Sequence, residues 1–395
     1  MTATSPAGSA RVAGRRRPVA LAADASSDSL LHRAATPYYL LLGATVLLLV
    51  LGLVMVFSAS SVLAFKYLGS SYAIVVKQAM WVGIGLPLTA VASRLPVRAW
   101  RALAYVALVA SLALLCLVVV AGTEVNGNRN WIDFGGPFRV QPSELAKLAL
   151  ILWGSDLLAR KHKLLCQWKH LLVPMVPVSG LVVALVLLGG DLGTAIILVA
   201  IIAALLYIAG SPLRLFIAFI APVFAVGLLM VQSGSERLSR ITSWLNPTLD
   251  PGGVGWQALH GKFALASGGW WGVGLGGSKE KWGSLPEAHT DFIFAIIGEE
   301  LGLVGTLTVL GLFGVIGYAG LRVAVHAEDP FVRLASAGVT AWILVQAMVN
   351  IGAVLGVLPI TGVPLPLVSY GGSALVPTMV GLGMLLSFAR QPRGR

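Results

Sequence analysis

Between Pro37 and Ala59 the chain runs for 23 residues without a charged side chain. A stretch of roughly 20 apolar residues is what an α-helix needs to span a bilayer. In lipid, backbone polar groups are satisfied only within helices or closed barrels. One such run therefore narrows the fold sharply, and the sequence repeats it. Spans are expected near 37–59, 74–93, 101–121, 143–160, 170–188, 191–209, 214–232, 291–321, 332–357 and 366–389. Only Gly189 and Gly190 separate the fifth from the sixth. The eighth is longer than one crossing needs, which implies tilt or projection from the bilayer. The expected fold is an all-α polytopic integral membrane protein with ten transmembrane helices and a large outer loop between spans seven and eight.

Composition agrees. Hydrophobic residues make up 57% and charged residues 11%, where a soluble domain carries roughly 25% charged. The net charge of +12 is divided among short clusters between apolar runs, as topology signals are, so it does not argue for a nucleic-acid partner. With the N-terminus inside, the inner segments hold eighteen of the 28 basic residues, among them Arg15, Arg94, Arg98, Arg101, Arg160, Arg322 and Arg390. Ten spans then place both termini in the cytoplasm. Residues 1–36 read as a disordered tail, 37–389 as the membrane domain and 390–395 as a short cytoplasmic tail. Arg15-Arg16-Arg17 has the look of a signal-peptide start, but the next apolar run is too long for one. Cys116 and Cys166 make no disulfide framework.

Three outer loops carry most of the polar chemistry. The first spans 122–142. The second, 233–290, holds five of the 11 tryptophans: Trp244, Trp256, Trp270, Trp271 and Trp282. Its middle, 256–271, is apolar but too short to cross, and reads as an interfacial or re-entrant element. An aromatic belt would explain the tryptophans, but not the interleaved Gln257, Lys262, Ser267, Lys279 and Lys281. The last loop, 358–373, is rich in Pro and Gly and ends with Ser369, Tyr370 and Ser373. It either lines a protein-walled cavity or forms a simple kink.

The densest polar stretch is Leu285-Pro-Glu-Ala-His-Thr-Asp-Phe-Ile-Phe-Ala-Ile-Ile-Gly-Glu-Glu-Leu301. Thr290 is placed to cap the eighth span, putting Asp291 in its first turn, where the dipole favours an ionised carboxylate. Asp291 is then either a proton acceptor or a stabiliser of the helix start. Glu287 is a second acid for an acid–base pair or a cation, and His289 a third candidate. Glu144 and Lys147 lie one turn apart, as a pair offsetting its own burial or as charges facing a cavity. Asp191, Glu299 and Glu300 pose the same question, because acids within a membrane point to function. Arg129, Arg237, Arg240, Lys262, Lys279 and Lys281 supply outer cations for a headgroup, phosphate or pyrophosphate.

The long stretch above resembles the signature of the SEDS family (shape, elongation, division, sporulation). Pro364-Leu-Pro-Leu-Val-Ser-Tyr-Gly-Gly-Ser373, Asn126-Gly-Asn-Arg-Asn-Trp131, Gln141-Pro-Ser-Glu-Leu145, Asp191-Leu-Gly-Thr194 and Arg237-Leu-Ser-Arg-Ile-Thr-Ser-Trp-Leu-Asn-Pro247 are similar to further family motifs, in family order. Ala288 and the Ile-Ile-Gly-Glu-Glu run resemble its division branch. The resemblance implies a peptidoglycan glycosyltransferase of the cytoplasmic membrane, acting at the septum. It would polymerise lipid II into a growing glycan strand beside a class B penicillin-binding protein (the division transpeptidase), other division proteins and membrane lipid. It implies Asp291 as the essential residue, with Glu144 and Arg129 important. Asp291 would serve as base for the acceptor 4-hydroxyl. Arg129, Lys262, Lys281 or a divalent cation, Mg2+ or Mn2+, would help the departing pyrophosphate. Glu144, Glu287, His289, Ser369 and Tyr370 complete the expected substrate contacts. Asn130, Thr361 and Ala374 depart from the family pattern where Arg, Lys and Ser occur. The competing readings are a lipid II flippase, for which Glu144, Asp191 and Glu299 would matter more than Asp291, and a non-catalytic division scaffold.

Overall fold

The computed structural model describes residues 36–125, 128–135, 138–161, 168–212, isolated positions between 214 and 225, 235–246 and 253–390. The expected N-terminal tail, Cys166 and most of the seventh span lie outside them.

Helices α1 (Thr36–Leu68), α2 (Ala73–Ala92) and α3 (Val97–Ala121) come first. Helix α1 continues well past its apolar run, because nothing in 60–68 breaks a helix. It stops where Gly69 takes a left-handed φ of 72° and its N–H caps the Phe65 carbonyl. The 122–142 segment, expected as a loop, is a small antiparallel sheet of β1 (Thr123–Val125), β2 (Asn128–Asp133) and β3 (Arg139–Val140) in the order β1-β2-β3. Then follow α4 (Pro142–Arg160), α5 (Trp168–Leu188), α6 (Leu192–Ile208), α7 (Ser235–Leu245), α8 (Val254–Ser267), α9 (Ile293–Val325), α10 (Pro330–Val354) and α11 (Gly372–Ala389). Six of these, α1, α2, α3, α9, α10 and α11, are long and apolar enough to cross a membrane. The molecule is a helical polytopic membrane protein.

Helix α4 is the axis of the bundle. Only Leu145, Leu148 and Arg160 escape burial. It packs on α3, α6 and α10, while α1 packs on α9 and α2 on α11. A helix surrounded by protein can carry charge where a lipid-facing one cannot, provided each charge is paired. Asp156, fully buried, takes Arg101 at 2.9 Å and Arg160 at 2.7 Å.

The long eighth span is broken as well as long. Inside α9, Gly302 adopts φ 66° and ψ −161°, a region essentially closed to side chains. The freed backbone groups are satisfied by the loop that follows α8. Val273 and Gly274 donate to the carbonyls of Glu299 and Glu300, and Leu303 and Val304 donate to Gly269 and Trp270. Part of the expected re-entrant element is therefore the 14-residue helix α8, and the rest splints the break in α9.

A Cβ on Gly302 would stand 2.4 Å from the Gly272 nitrogen, whereas one on Gly311 meets open space. Gly302→Ala is therefore expected to destabilise the protein by about 2 kcal/mol or more. Gly311→Ala should be neutral or stabilising by up to about 1 kcal/mol. Thermal unfolding in detergent separates the two.

Candidate functional site

At one end of the bundle lies a cavity of about 640 Å³. The start of α2 gives it Lys77 and Trp81, the sheet Asn128, Asn130, Trp131 and Arg139, and α4 its leading Gln141. Asp191 enters at the head of α6, Arg240 from α7, and Glu287, His289, Thr290 and Asp291 from the segment before α9. Thr361, Gly362, Pro364 and 370–374 close it.

The segment carrying Asp291 is held at three consecutive carbonyls. The His289 carbonyl accepts from the Tyr370 N–H at 2.9 Å, that of Thr290 from the Ser369 hydroxyl at 2.6 Å, and that of Asp291 from the Asn350 amide at 2.8 Å. Asn350 also donates to the Val363 carbonyl, and the Ser369 hydroxyl accepts the Leu365 N–H. Gln78 of α2 donates to the Ser369 carbonyl and accepts the Gly371 N–H. The Pro- and Gly-rich loop thus clamps the acidic segment from one side while α10 and α2 brace the clamp.

Within the clamp, the segment folds on Glu287. Its carbonyl gathers the N–H groups of Thr290 and Phe292 and the Thr290 hydroxyl. Glu287 itself sits at φ 52°, a left-handed conformation that is costly for a residue with a Cβ. Here the structure corrects the sequence reading. Helix α9 begins at Ile293 with Phe292 at the N-cap and no side-chain cap. The Thr290 hydroxyl turns back to the Glu287 carboxylate at 2.6 Å. Asp291 therefore precedes the helix, so the first-turn placement from which dipole stabilisation was expected does not hold. Burial pushes its carboxyl up to about 7; the Glu287 charge adds to the rise, Arg240 opposes it and Asp191 adds a little more. Gly362 lies beside it, since a Cβ there would be 3.6 Å from the Asp291 Oδ2. Burial lowers the pKa of His289 against the pull of Glu287, and raises that of the Tyr370 phenol.

Of the residues expected to meet substrate, Asp291, Glu287, His289 and Tyr370 line the cavity. Arg129, Glu144, Lys262, Lys281 and Ser369 do not. Ser369 is buried in the clamp just described. Glu144 and Lys147 form a fully buried pair at 2.6 Å; Lys147 also donates to Gln346 at 2.9 Å, and Gln346 holds the Pro364 carbonyl. Their side chains brace the loop wall from behind. Lys281 is buried with Glu300 at 3.0 Å and donates to Ser58. Glu299 accepts from the Ser278 hydroxyl and the Lys279 N–H. That pair of acids anchors the 278–281 turn to α1 and α9. Lys262 lies with Arg240 and Trp244 in a narrow crevice beside the cavity. Arg129 is exposed on β2, its N–H on the Gly189 carbonyl. Arg237's side chain lies outside the described residues.

The cavity's cations are Lys77, Arg139 and Arg240. Only Arg240 was singled out from the sequence. Lys77 was hidden inside an apolar span, where a lone lysine was itself the signal. Asp191 caps α6 through the Thr194 N–H and accepts from Gln141 at 2.8 Å. Among the described residues no three His, Cys, Asp or Glu side chains gather as a metal site. The acidic side chains lining the cavity are Asp191, Glu287 and Asp291.

A helical membrane protein with a clamped carboxylate and three cations around one cavity defines the class. The chain belongs to the cell cycle protein family of FtsW, RodA and SpoVE, whose family model matches residues 39–394. It is 44% identical over 362 residues to the probable peptidoglycan glycosyltransferase FtsW of Mycobacterium tuberculosis, covering 91% of this chain and 69% of that protein. It is 37% identical to stage V sporulation protein E of Bacillus subtilis, covering 91% and 98%. Among solved structures, a chain of a peptidoglycan synthase complex that coordinates polymerization and crosslinking superposes with TM-score 0.72 at 31% identity, covering 89% of this chain and 96% of that one. The rod shape determining protein RodA of Thermus thermophilus gives TM-score 0.64 at 29% identity, covering 89% and 95%.

If Lys281 is structural, removing it strands the buried Glu300 charge. Lys281→Ala should cost about 3–5 kcal/mol of stability, and Lys281→Ala with Glu300→Gln should recover part of it. Chemical unfolding in detergent measures both.

Proposed function

We propose that this protein is a peptidoglycan glycosyltransferase that polymerises lipid II during cell division, with Asp291 as general base. One observation carries the reading. One cavity holds the Asp291 carboxyl, which burial pushes up to about 7, together with Lys77, Arg240 and Arg139, the last also paired with Asp133 at 2.9 Å. A base works best when its pKa lies near the working pH. Ionised Asp291 accepts the proton of the acceptor 4-hydroxyl as that oxygen attacks the donor's anomeric carbon. The carbon–oxygen bond to the lipid pyrophosphate breaks on the opposite face, inverting the centre. The three cations take up the charge developing on the leaving pyrophosphate. Burial keeps the Asp291 pKa high, Glu287 adds to the rise, and Glu287 is not a nucleophile.

A flippase reading needs a polar path through the bundle. Glu144 and Lys147 are sealed in their own pair and Glu299 is bound to the 278–281 turn, which argues against such a path. We further infer ten crossings, with the expected span 214–232 as the seventh and both termini in the cytoplasm, so that the cavity faces outward at the septum. Residues 1–36 and 390–395 are then cytoplasmic tails and 233–290 the large outer loop. The likeness to a synthase complex supports a crosslinking partner of the class B penicillin-binding type, alongside other division proteins.

The test is polymerisation of purified lipid II by the protein with its cognate penicillin-binding protein, the transpeptidase blocked and the partner alone as control. Asp291→Asn should make no glycan chains while keeping its fold. Chains from this variant would remove Asp291 as the base, and translocation of lipid II without polymerisation would favour the flippase.

The pH dependence has a definite sign. Activity should rise with pH through a midpoint near 7, where Asp291 ionises. Glu287→Gln removes a like charge and should move that limb to lower pH. Stability runs the other way, because the folded carboxyl titrates above the unfolded one. Native protein holds an extra proton between about 4 and about 7, so stability falls as pH rises across that window. Asp291→Asn should flatten this slope. Asn350→Ala frees the Asp291 carbonyl and should lower kcat by about 100-fold or less with little change in KM, measured on the same substrate.

A further inference from the structure

The other end of the bundle carries a groove that the proposed reaction does not use. It has a volume of about 800 Å³ and is lined by Ser93, Arg94, Arg98, Ser387 and Arg390. Its walls are the α2–α3 connection and the end of α11. The Ser387 hydroxyl ties them together by donating to the Leu95 carbonyl at 2.6 Å. From Lys77 in the cavity to Arg94 is seventeen residues along one helix direction, about 25 Å, so the two sites lie roughly a bilayer's apolar thickness apart.

The arginines around this groove differ from their neighbours. Arg101 and Arg160 share Asp156, and Arg101 also lies 3.9 Å from Asp329. Among the described residues neither Arg94 nor Arg98 has an ion-pair partner, no carboxylate lines the groove, and Arg390 donates to the Tyr38 hydroxyl while lying 4.7 Å from that ring. Three forked donors thus border one space, while the Ser93 and Ser387 hydroxyls are spent on the Ala90 and Leu95 carbonyls. Leu88 and Val91 of α2 and Leu103 and Val106 of α3, on the two spanning helices that the groove's connection joins, are exposed.

We propose that this groove binds the phosphate headgroup of an anionic phospholipid, with the acyl chains lying against α2 and α3. Planar guanidinium forks match phosphate oxygens two at a time. The groove's place at the ends of the membrane-spanning helices α2, α3 and α11 favours a lipid over free phosphate. A general topology signal requires basic residues but not a shared groove. With the orientation proposed above, the bound lipid belongs to the inner leaflet.

The test is binding of labelled dioleoyl phosphatidylglycerol and dioleoyl phosphatidylcholine to the full-length protein in detergent. Wild type should prefer the anionic lipid by tenfold or more. Arg94→Gln and Arg98→Gln should each weaken it about fivefold, and the triple variant with Arg390→Gln about 100-fold. Inorganic phosphate at millimolar concentration should not displace the lipid. Melting curves check folding, and the single variants keep the test alive if the triple variant does not fold. Equal binding of the two lipids, or unchanged binding by both single variants, would overturn the proposal. Full competition by inorganic phosphate would reassign the groove to a free anion, and displacement only by an acidic peptide would reassign it to a protein partner. Lipid II polymerisation by the same variants reports separately on the cavity.

Discussion

Three consecutive carbonyls, those of His289, Thr290 and Asp291, are each held by a different donor. Everything distinctive about the cavity depends on that clamp. A carboxylate on a free loop would relax toward water and titrate in the ordinary carboxylic range. Fixed by Tyr370, Ser369 and Asn350, Asp291 stays between Glu287, Arg240 and the loop wall, where desolvation outweighs the nearby cation. The clamp also explains the left-handed backbone of Glu287. Strain of about 1–3 kcal/mol persists where surrounding contacts leave the chain no alternative.

The charges divide into two populations by what they touch. Glu144 with Lys147 and Glu300 with Lys281 are buried pairs, and the buried Asp156 is held by the partly exposed Arg101 and the exposed Arg160; each acid is spent on the scaffold. Arg101 joins α3 to α4, Lys147 reaches α10 through Gln346, and Lys281 ties the outer turn to α9. Lys77, Arg240, Glu287 and Asp291 instead face a common space large enough for a ligand, together with Arg139, which also pairs with Asp133 at 2.9 Å. Residue type did not separate these groups; geometry did. The broken helix α9 belongs to the first population. Its irregular backbone is tolerated because the 269–274 loop completes its hydrogen bonds, as any non-helical segment at membrane depth requires.

The architecture was legible because lipid imposes a strong rule on sequence. The long apolar runs predicted helices, and helices occupy nine of the ten expected positions, the tenth lying mostly outside the described residues. The sheet at 123–140 was not read, since its strands are only three, six and two residues long and carry no clear alternation. The acidic segment and the Pro- and Gly-rich loop were both singled out, yet their mutual clamp was invisible because it joins residues 59 to 81 positions apart through backbone carbonyls. The choice of cations failed for a related reason. Lys262 and Lys281 lie in the right loop but turn into a crevice and a buried pair, whereas Lys77 comes from α2 and Arg139 from β3. Spacing along the chain carries no information about such convergence.

The most direct test of the account is to titrate the Asp291 carboxyl itself. Infrared difference spectra of aspartate-labelled protein, wild type minus Asp291→Asn, would follow its protonated band with pH. The account predicts a midpoint near 7 in the resting protein. A midpoint near 4, the ordinary range for aspartate, would mean that the clamp does not hold the carboxyl out of water, and would contradict its assignment as the base.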